Sequence, residues 1–134
     1  MALDVGDRRI GIALSDALKI IANPYETYVR KGNETDFEYF KKLVNDKEVC
    51  LIICGLPISM SGGENAQTQK TRDFISQLQS AIDTEIKFVD ERLTTWSAEQ
   101  VLIEGNMRRE ERKNVIDKVA AAIILQHYLD YYKK

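Results

Sequence analysis

The sequence predicts an α/β fold: a mixed five-stranded sheet, with an antiparallel hairpin on one side and parallel strands on the other, flanked by helices. Two short apolar segments joined by a charged turn open the chain and predict the hairpin. Further along, apolar runs typical of parallel strands alternate with segments of helical periodicity. The resulting order ββ(β)-α-β-α-β-α-α is that of a sheet covered by helices.

Each element has its own signal in the sequence. Strands are predicted within residues 3–16 (two strands), 24–30, 49–54 and 85–90, and helices over 35–45, 66–82 and 115–132. Thr35 and Glu38 have the spacing of a capping box for the first helix. Gly55 is expected to end the fourth strand, and a further helix would begin at the cap residue Thr94 and end before Gly105.

The last helix should pack on the sheet. It follows a charged connector, residues 107–114, and carries a predicted sheet-facing side of Ile116, Val119, Ala120, Ile123, His127 and Tyr131. His127 is interpreted as a structural histidine within that face. Trp96, near the start of the preceding helix, is interpreted as a core residue, with stacking on an unpaired base as the alternative.

Composition indicates an ordinary globular protein. With 134 residues, 44% of them apolar and 30% charged, the chain fits one domain spanning residues 1–134. No apolar run approaches the roughly 18 residues of a membrane helix, and no signal-peptide pattern opens the chain, so a cytoplasmic protein without a membrane partner is expected. The net charge of −2 gives no global attraction for nucleic acid, so phosphate binding would depend on local basic clusters.

The two cysteines carry no disulfide signal. Cys50 and Cys54 lie four residues apart in one predicted strand, which separates them by about 13 Å, roughly twice the span of a disulfide. Buried, reduced thiols are therefore expected.

Asp4 is the first residue along the chain whose position a purely structural role does not explain. It stands between Leu3 and Val5 in an apolar strand, where a carboxylate is costly to bury unless it is paired or binds a cation. Gly6 and Gly11 are equally unusual in strands, because glycine there marks a bulge or the close approach of a backbone or ligand. The hairpin is thus predicted to bring something close to Asp4.

Acids also stand at two further places where a purely structural role would not require them. Glu91 and its neighbour Asp90 end a strand, and Asp117 shares a helix face with the small residues Ala120 and Ala121. Converging carboxylates can hold two divalent cations, one activating a water and the other stabilising the leaving oxygen of a phosphodiester. The alternative for any one of them is a surface or helix-capping carboxylate.

Four motifs in order resemble one known family. They are Leu3–Gly6 with Arg9–Asp16, Gly55–Pro57 with Ser59, Met60 and Gly62, Asp90–Thr95 with Ala98, and Lys113, Ile116, Asp117, Ala120 and Ala121. Together they closely resemble the YqgF (RuvX) family. That resemblance implies an RNase H-like fold and a Holliday-junction-resolvase-like nuclease implicated in maturing the 5′ end of 16S ribosomal RNA.

The resemblance also implies roles for individual residues. Asp4, Glu91 and Asp117 would be the metal-binding catalytic acids, and Glu91 is preferred to Asp90 because the family pattern aligns it with the site. Two ions, Mg²⁺ or Mn²⁺, are expected. The supporting backbone and loop positions are Gly6, Gly11, Gly55, Ser59, Gly62 and Thr94.

A basic rim could surround the acids and hold phosphates without reading sequence. Its candidates are Arg8, Arg9, Arg92, Arg108, Arg109, Arg112 and Lys113. For residues 108–113, interleaved with Glu110 and Glu111, a solvated turn is an equal alternative. Arg9 and Arg92 could instead pair with a catalytic acid.

Three classes of function can be compared with the sequence. The leading hypothesis is a metal-dependent endonuclease acting on precursor ribosomal RNA; four-way DNA is the alternative substrate and would need a dimer, so a monomer or weak homodimer is expected. A non-catalytic nucleic-acid-binding module for ribosome assembly is the second class. The third class, an actin- or sugar-kinase-like ATPase, is excluded because two such domains do not fit in 134 residues.

Overall fold

A five-stranded sheet with helices on both faces organises the protein. The computed structural model describes residues 1–57, 63–90 and 109–131, with only the backbone described for 109–114. The elements are β1 (Ala2–Val5), β2 (Arg9–Ser15), β3 (Ala22–Val29), α1 (Asn33–Asp46), β4 (Leu51–Leu56), α2 (Ala66–Ala81), β5 (Glu85–Asp90) and α3 (Arg109–Tyr131).

The sheet changes from antiparallel to parallel at β1. Its strand order is β3-β2-β1-β4-β5. β1 and β3 both pair antiparallel with β2, whereas β4 pairs parallel with β1 and with β5. The predicted mixed sheet is therefore confirmed, and the carboxyl ends of β1, β4 and β5 lie at one edge, where α/β sheets bind ligands.

The two faces of the sheet bury different side chains. On one face, large residues including Leu3, Ile12 and Ile52 pack with Phe40 of α1 and Leu78 of α2. The opposite face packs small residues against α3 in a second cluster: Ala2, Ala13, Ile53, Ala121, Ala122, Ile124 and Leu125. Because alternate strand residues point to opposite faces, Asp4 lies on the α3 face with Ala2.

Strand boundaries differ from the predicted ones in the centre of the sheet. β4 begins at Leu51 rather than residue 49 and continues through Gly55 and Leu56, which pair with Val89 and Asp90 of β5. Gly55 does not end the strand, because the parallel ladder with β5 supplies partners beyond the point where the apolar run stops.

The first helix begins without the predicted capping box. α1 starts after Gly32, and no side chain caps it. The Asp36 carboxylate in its first turn instead accepts hydrogen bonds from the Lys31 amide and the Tyr28 hydroxyl. That prediction was wrong because a tertiary contact replaced the local one.

The last helix is longer than predicted and presents a different face. It starts at Arg109, inside the predicted connector. Its buried residues are Ala120, Ala121, Ala122, Ile124 and Leu125. His127 is exposed and packs edge-on against the exposed Tyr131, so the predicted sheet-facing side was wrong for these two residues, whereas Ala120 is buried as predicted. The small residues face the sheet because they allow the closest approach.

Other predictions have mixed outcomes. Neither cysteine forms a disulfide, as expected, but only Cys54 is buried and Cys50 is exposed. The helix predicted from Thr94, with Trp96, lies outside the described residues. Among the helices that are described, none combines the length and apolar character needed to cross a membrane.

Candidate active site

Asp4 and Gly11 lie opposite each other in the sheet. They are partners in the antiparallel register of β1 and β2, which places their Cα atoms about 4.5–5.5 Å apart. Both belong to the face that packs on α3, because Ala2 and Ala13, two residues away in each strand, are part of that cluster. The Asp4 side chain is half-buried.

At Gly11 the backbone of α3 packs directly against the sheet. A Cβ atom at this position would lie 1.9 Å from the backbone oxygen of Asp117 and 2.9 Å from the nitrogen of Lys118. No side chain fits in that space. Gly11 was predicted to admit a ligand or backbone beside Asp4; the group it admits is the α3 backbone at Asp117. The Asp117 backbone thereby lies against the strand partner of Asp4, and Asp4 itself stands 113 positions earlier in the sequence than Asp117.

Gly6 has a separate role in the hairpin turn. Its amide donates a hydrogen bond to the Arg9 carbonyl at 2.9 Å, and a Cβ atom on Gly6 would lie 2.8 Å from that oxygen. The missing side chain therefore allows the tight turn that follows Asp4.

Asp117 is in an electrostatically mixed environment. Nε of Arg9 lies 3.2 Å from its Oδ2 atom, and the Asp117 side chain is 25% exposed. Burial raises the pKa of the Asp117 carboxyl above its usual range, and the charge and hydrogen-bonding capacity of Arg9 offset only part of that rise. Oδ2 is buried and accepts no well-aligned hydrogen bond from the residues that the structure describes. We therefore treat the Arg9 contact as a charge pair rather than a well-formed hydrogen bond.

These observations fit a hard divalent cation. A buried carboxylate oxygen with no aligned donor costs free energy that a metal ion would recover. Asp4 supplies a second carboxylate on the same face. Within the described ranges, no three His, Cys, Asp or Glu residues are grouped so as to hold a metal. The third predicted acid, Glu91, lies outside those ranges.

Asp90 points away from this site. Val89 belongs to the cluster under α3, so Asp90, the next residue of β5, lies on the opposite face of the sheet with α1 and α2. The alternation of side chains along β5 thus excludes Asp90 from this site. The assignment of Glu91 to the site stays a prediction.

The predicted basic rim is only partly described. Arg8 and Arg9 are both exposed in or beside the hairpin turn, and Arg9 pairs with Asp117, the alternative that the sequence left open. Arg109, Arg112 and Lys113 belong to the first turns of α3, whose side chains are not described. Arg92 and Arg108 lie outside the described residues.

Of the remaining predicted supporting positions, the structure describes one and leaves three outside its described residues. Gly55 is buried near the carboxyl end of β4, and Ser59, Gly62 and Thr94 fall outside the described residues. The start of α2 carries a capping box that the sequence analysis missed: Asn65 accepts from the Thr68 amide at 3.0 Å, and the Thr68 hydroxyl accepts from the Asn65 amide at 3.1 Å. The Thr68 hydroxyl also donates to the Pro57 carbonyl, so Pro57, directly after β4, is held to the first turn of α2.

A buried polar cluster behind the hairpin was also missed. Asp36 is fully buried and bonds to Tyr28, Arg30 and the Lys31 amide. Its spacing from the apolar residues Phe40 and Leu43 placed it on the buried stripe of α1, a signal that was available in the sequence.

Comparisons with known proteins find a matching family model and several similar relatives. The family model RuvX, described as Holliday junction resolvase, matches residues 1–131. A protein of Halothermothrix orenii is 52% identical over 134 residues, covering 100% of this chain and 96% of the relative. A protein of Dictyoglomus thermophilum is 47% identical over 130 residues, covering 97% and 94%. Both relatives are named "Putative pre-16S rRNA nuclease".

A solved structure shares the fold. It is a fowlpox virus resolvase in complex with its substrate Holliday junction DNA, with a TM-score of 0.58, 11% identity, and coverage of 98% of this chain and 97% of that one. This likeness confirms the predicted RNase H-like fold. With the family model matching nearly the whole sequence and relatives close to half identical, the chain belongs to the RuvX family.

Proposed function

We propose that this protein is a metal-dependent endonuclease that hydrolyses nucleic-acid phosphodiesters and matures the 5′ end of pre-16S ribosomal RNA. The names of its relatives support the substrate, and membership of a resolvase family supports the chemistry. We further propose that it acts as one domain spanning residues 1–134, in the cytoplasm.

One observation carries the proposal: the contact of α3 with Gly11 brings the Asp117 backbone onto the strand residue opposite Asp4. Two carboxylates on one face, one with a buried and poorly satisfied oxygen, support a site for cations rather than for structural hydrogen bonds. We propose Asp4, Asp117 and Glu91 as the residues that would hold Mg²⁺ or Mn²⁺. When bound, two such ions would activate a water and stabilise the leaving oxygen of the phosphodiester.

The chain's own residues have further roles in this proposal. The proposed carboxylates would hold the metal ions at the carboxyl edge of the sheet. Arg8 is exposed on the turn and would contact a phosphate of the substrate. Arg9 balances the Asp117 charge in the protein alone and is half-exposed, so its outer nitrogens can also meet a phosphate.

The experiment compares cleavage of precursor 16S RNA with cleavage of a synthetic four-way DNA junction by the purified protein in Mg²⁺ and Mn²⁺. Cleavage of the RNA should fall by several orders of magnitude in Asp4→Asn and in Asp117→Asn. Asp130→Asn is the matched control: the same change on the same helix, at an exposed residue bonded only to Gln126 among described contacts. Undiminished cleavage by either active-site variant would refute the assignment.

Two outcomes would favour the alternatives. Preferred cleavage of the junction, by a protein that sediments as a dimer, would favour a Holliday-junction resolvase, as the family description and the viral resolvase suggest. Tight RNA binding with no cleavage, and no heat of Mn²⁺ binding at millimolar metal, would favour a non-catalytic assembly module.

A further inference from the structure

The Arg30 guanidinium connects the hairpin turn of the candidate site to the body of the protein. Its Nη1 atom donates to the Gly6 carbonyl at 3.0 Å, and Nη2 lies 3.2 Å from Oδ1 of Asn33. The guanidinium carbon also stacks 4.6 Å from the centre of the Phe74 ring on α2. One side chain thus touches the turn after β1 and the first residue of α1 while it covers an aromatic residue of α2.

A fully buried carboxylate fixes this arginine. Nε of Arg30 lies 3.3 Å from Oδ2 of Asp36, whose side chain has no exposed surface. Oδ1 of Asp36 accepts from the Tyr28 hydroxyl at 2.8 Å and from the Lys31 amide at 2.9 Å. Because the carboxylate is held by two other donors, its position does not depend on Arg30, and it can serve as a fixed anchor for the guanidinium.

The contact with Gly6 connects Arg30 to the turn that follows Asp4 and, through Arg9, to Asp117. Gly6 lies two residues after Asp4, and its amide donates to the Arg9 carbonyl at 2.9 Å. The Arg9 side chain in turn lies 3.2 Å from Asp117. A series of direct contacts therefore runs from Asp36, through Arg30 and Gly6, to Arg9 and Asp117.

We propose that Arg30 is a positioning residue for the nuclease site: anchored on Asp36, it holds the Gly6 carbonyl and with it the turn that sets Asp4 and Arg9. This role rests on the proposed function, in which Asp4 and Asp117 bind the metal. Arg30 itself touches neither metal nor substrate; it acts through the backbone of the turn.

Arginine is required by the geometry of these contacts. Its nitrogens reach Asp36, Gly6 and Asn33 in three directions from one plane, and the flat face stacks on Phe74. A lysine ammonium could keep the charge pair with Asp36 but could not hold the Gly6 carbonyl at the same time. Arg30→Lys thus separates the positioning contact from the neutralisation of Asp36.

The test compares Arg30→Lys with Asn33→Ala. The second variant removes the outer contact, at Nη2, together with the exposed hydrogen bond that Asn33 donates to Gln77, and leaves the contact with Gly6. Three quantities are measured: amide hydrogen exchange at Gly6, Mn²⁺ affinity by calorimetry, and kcat with KM on the precursor RNA.

For Arg30→Lys we expect faster exchange at Gly6, with the Ile82 amide at the end of α2 unchanged. We also expect about 10- to 100-fold weaker Mn²⁺ binding and a matching loss in kcat, with KM nearly constant. Asn33→Ala should resemble the wild type in all three.

A second variant keeps the test decisive if Arg30→Lys does not fold. The double variant Arg30→Gln with Asp36→Asn removes both charges together and leaves no unpaired buried charge. It should show the same changes at Gly6 and in Mn²⁺ affinity. Wild-type exchange at Gly6 and wild-type Mn²⁺ affinity in a folded variant would overturn the proposal.

The failure of the nuclease proposal would look different. If the wild type cleaves neither RNA nor junction, but Arg30→Lys still loses Gly6 protection and Mn²⁺ affinity, then the positioning role holds for a metal site that is not a nuclease.

Discussion

The backbone oxygen of Asp117 lies only 1.9 Å from the position that a Cβ atom of residue 11 would occupy. Helix and strand therefore meet backbone to backbone, and glycine is the residue that allows it. The same contact places Asp117 against the strand residue that pairs with Asp4.

Substituting Gly11 with alanine should displace α3 from the sheet. The added methyl overlaps fixed backbone rather than a mobile side chain, so we expect a loss of about 3 kcal/mol or more in the free energy of unfolding. Mn²⁺ affinity should fall with it, because Asp117 moves away from Asp4. Chemical denaturation and calorimetry measure the two effects.

Ile12→Val is the control for this substitution. It removes one methylene on the opposite face of β2, where Ile12 is fully buried, at a cost of about 1 kcal/mol. Mn²⁺ affinity should stay unchanged, since α3 is not displaced. Equal loss of affinity in both variants would mean that general destabilisation, not the helix position, controls the site.

Asp117→Asn should raise stability while it removes metal binding. The folded-state pKa of Asp117 is raised above its ordinary value of 3.8, chiefly by burial. The proton on Asp117 therefore stabilises the fold below pH 3.8, and this contribution is lost as pH rises through the folded-state pKa. Asparagine at this position has no proton to lose, so the variant keeps its stability as pH rises.

The measurement is the melting temperature from acid to neutral pH with divalent ions chelated. We expect the wild type to fall below Asp117→Asn as pH rises, and Mn²⁺ at a hundred times its Kd to return about 2.7 kcal/mol to the wild type alone. A lower melting temperature for the variant at neutral pH without metal would contradict the pKa direction.

Arg9→Gln should strengthen Mn²⁺ binding severalfold. The guanidinium near Oδ2 repels a cation that approaches the same oxygen, so its removal lowers the cost of metal binding. Calorimetry at pH 7 measures the effect. Arg8→Gln is the matched control, since Arg8 is exposed on the same turn and has no acidic partner among the described ion pairs.

Nucleic-acid binding should be affected alike by the two substitutions. Both variants should bind precursor RNA more weakly and with a smaller dependence on salt, as expected for a lost phosphate contact. An Arg9→Gln variant with unchanged Mn²⁺ affinity would show that the ion pair is not felt by the metal site.

Tyr28→Phe should change stability at high pH. Burial and the hydrogen bond to Asp36 raise the pKa of Tyr28 from 10.0 to about 12. The folded protein therefore keeps this proton while the unfolded chain loses it, so the contribution of Tyr28 falls as pH rises from about 10 to about 12.

The phenylalanine variant should be about 1 kcal/mol less stable at neutral pH, because Asp36 loses a donor. Between pH 10 and 12 its free energy of unfolding should fall less steeply than that of the wild type. Parallel curves for the two proteins in that window would refute the role assigned to Tyr28.

Much of the candidate site was visible in the sequence. Asp4 stood out because a carboxylate inside an apolar strand is costly, and Asp117 because it shares a helix face with Ala120 and Ala121. The structure buries both alanines against the sheet. The buried Asp36 could have been found by the same spacing argument, whereas its three partners could not, because they come from segments whose local sequence shows only a strand end.

The sequence by itself determined the order of the elements, the mixed sheet and the acid in its first strand, because side-chain periodicity is a local property. Tertiary structure alone decided which face α3 turns to the sheet, how far β4 extends, and what occupies the space at Gly11. Those outcomes depend on contacts between residues far apart in sequence, Gly55 with Val89 for the length of β4 and Gly11 with Asp117 for the position of α3. A one-dimensional pattern does not contain the distances between such residues.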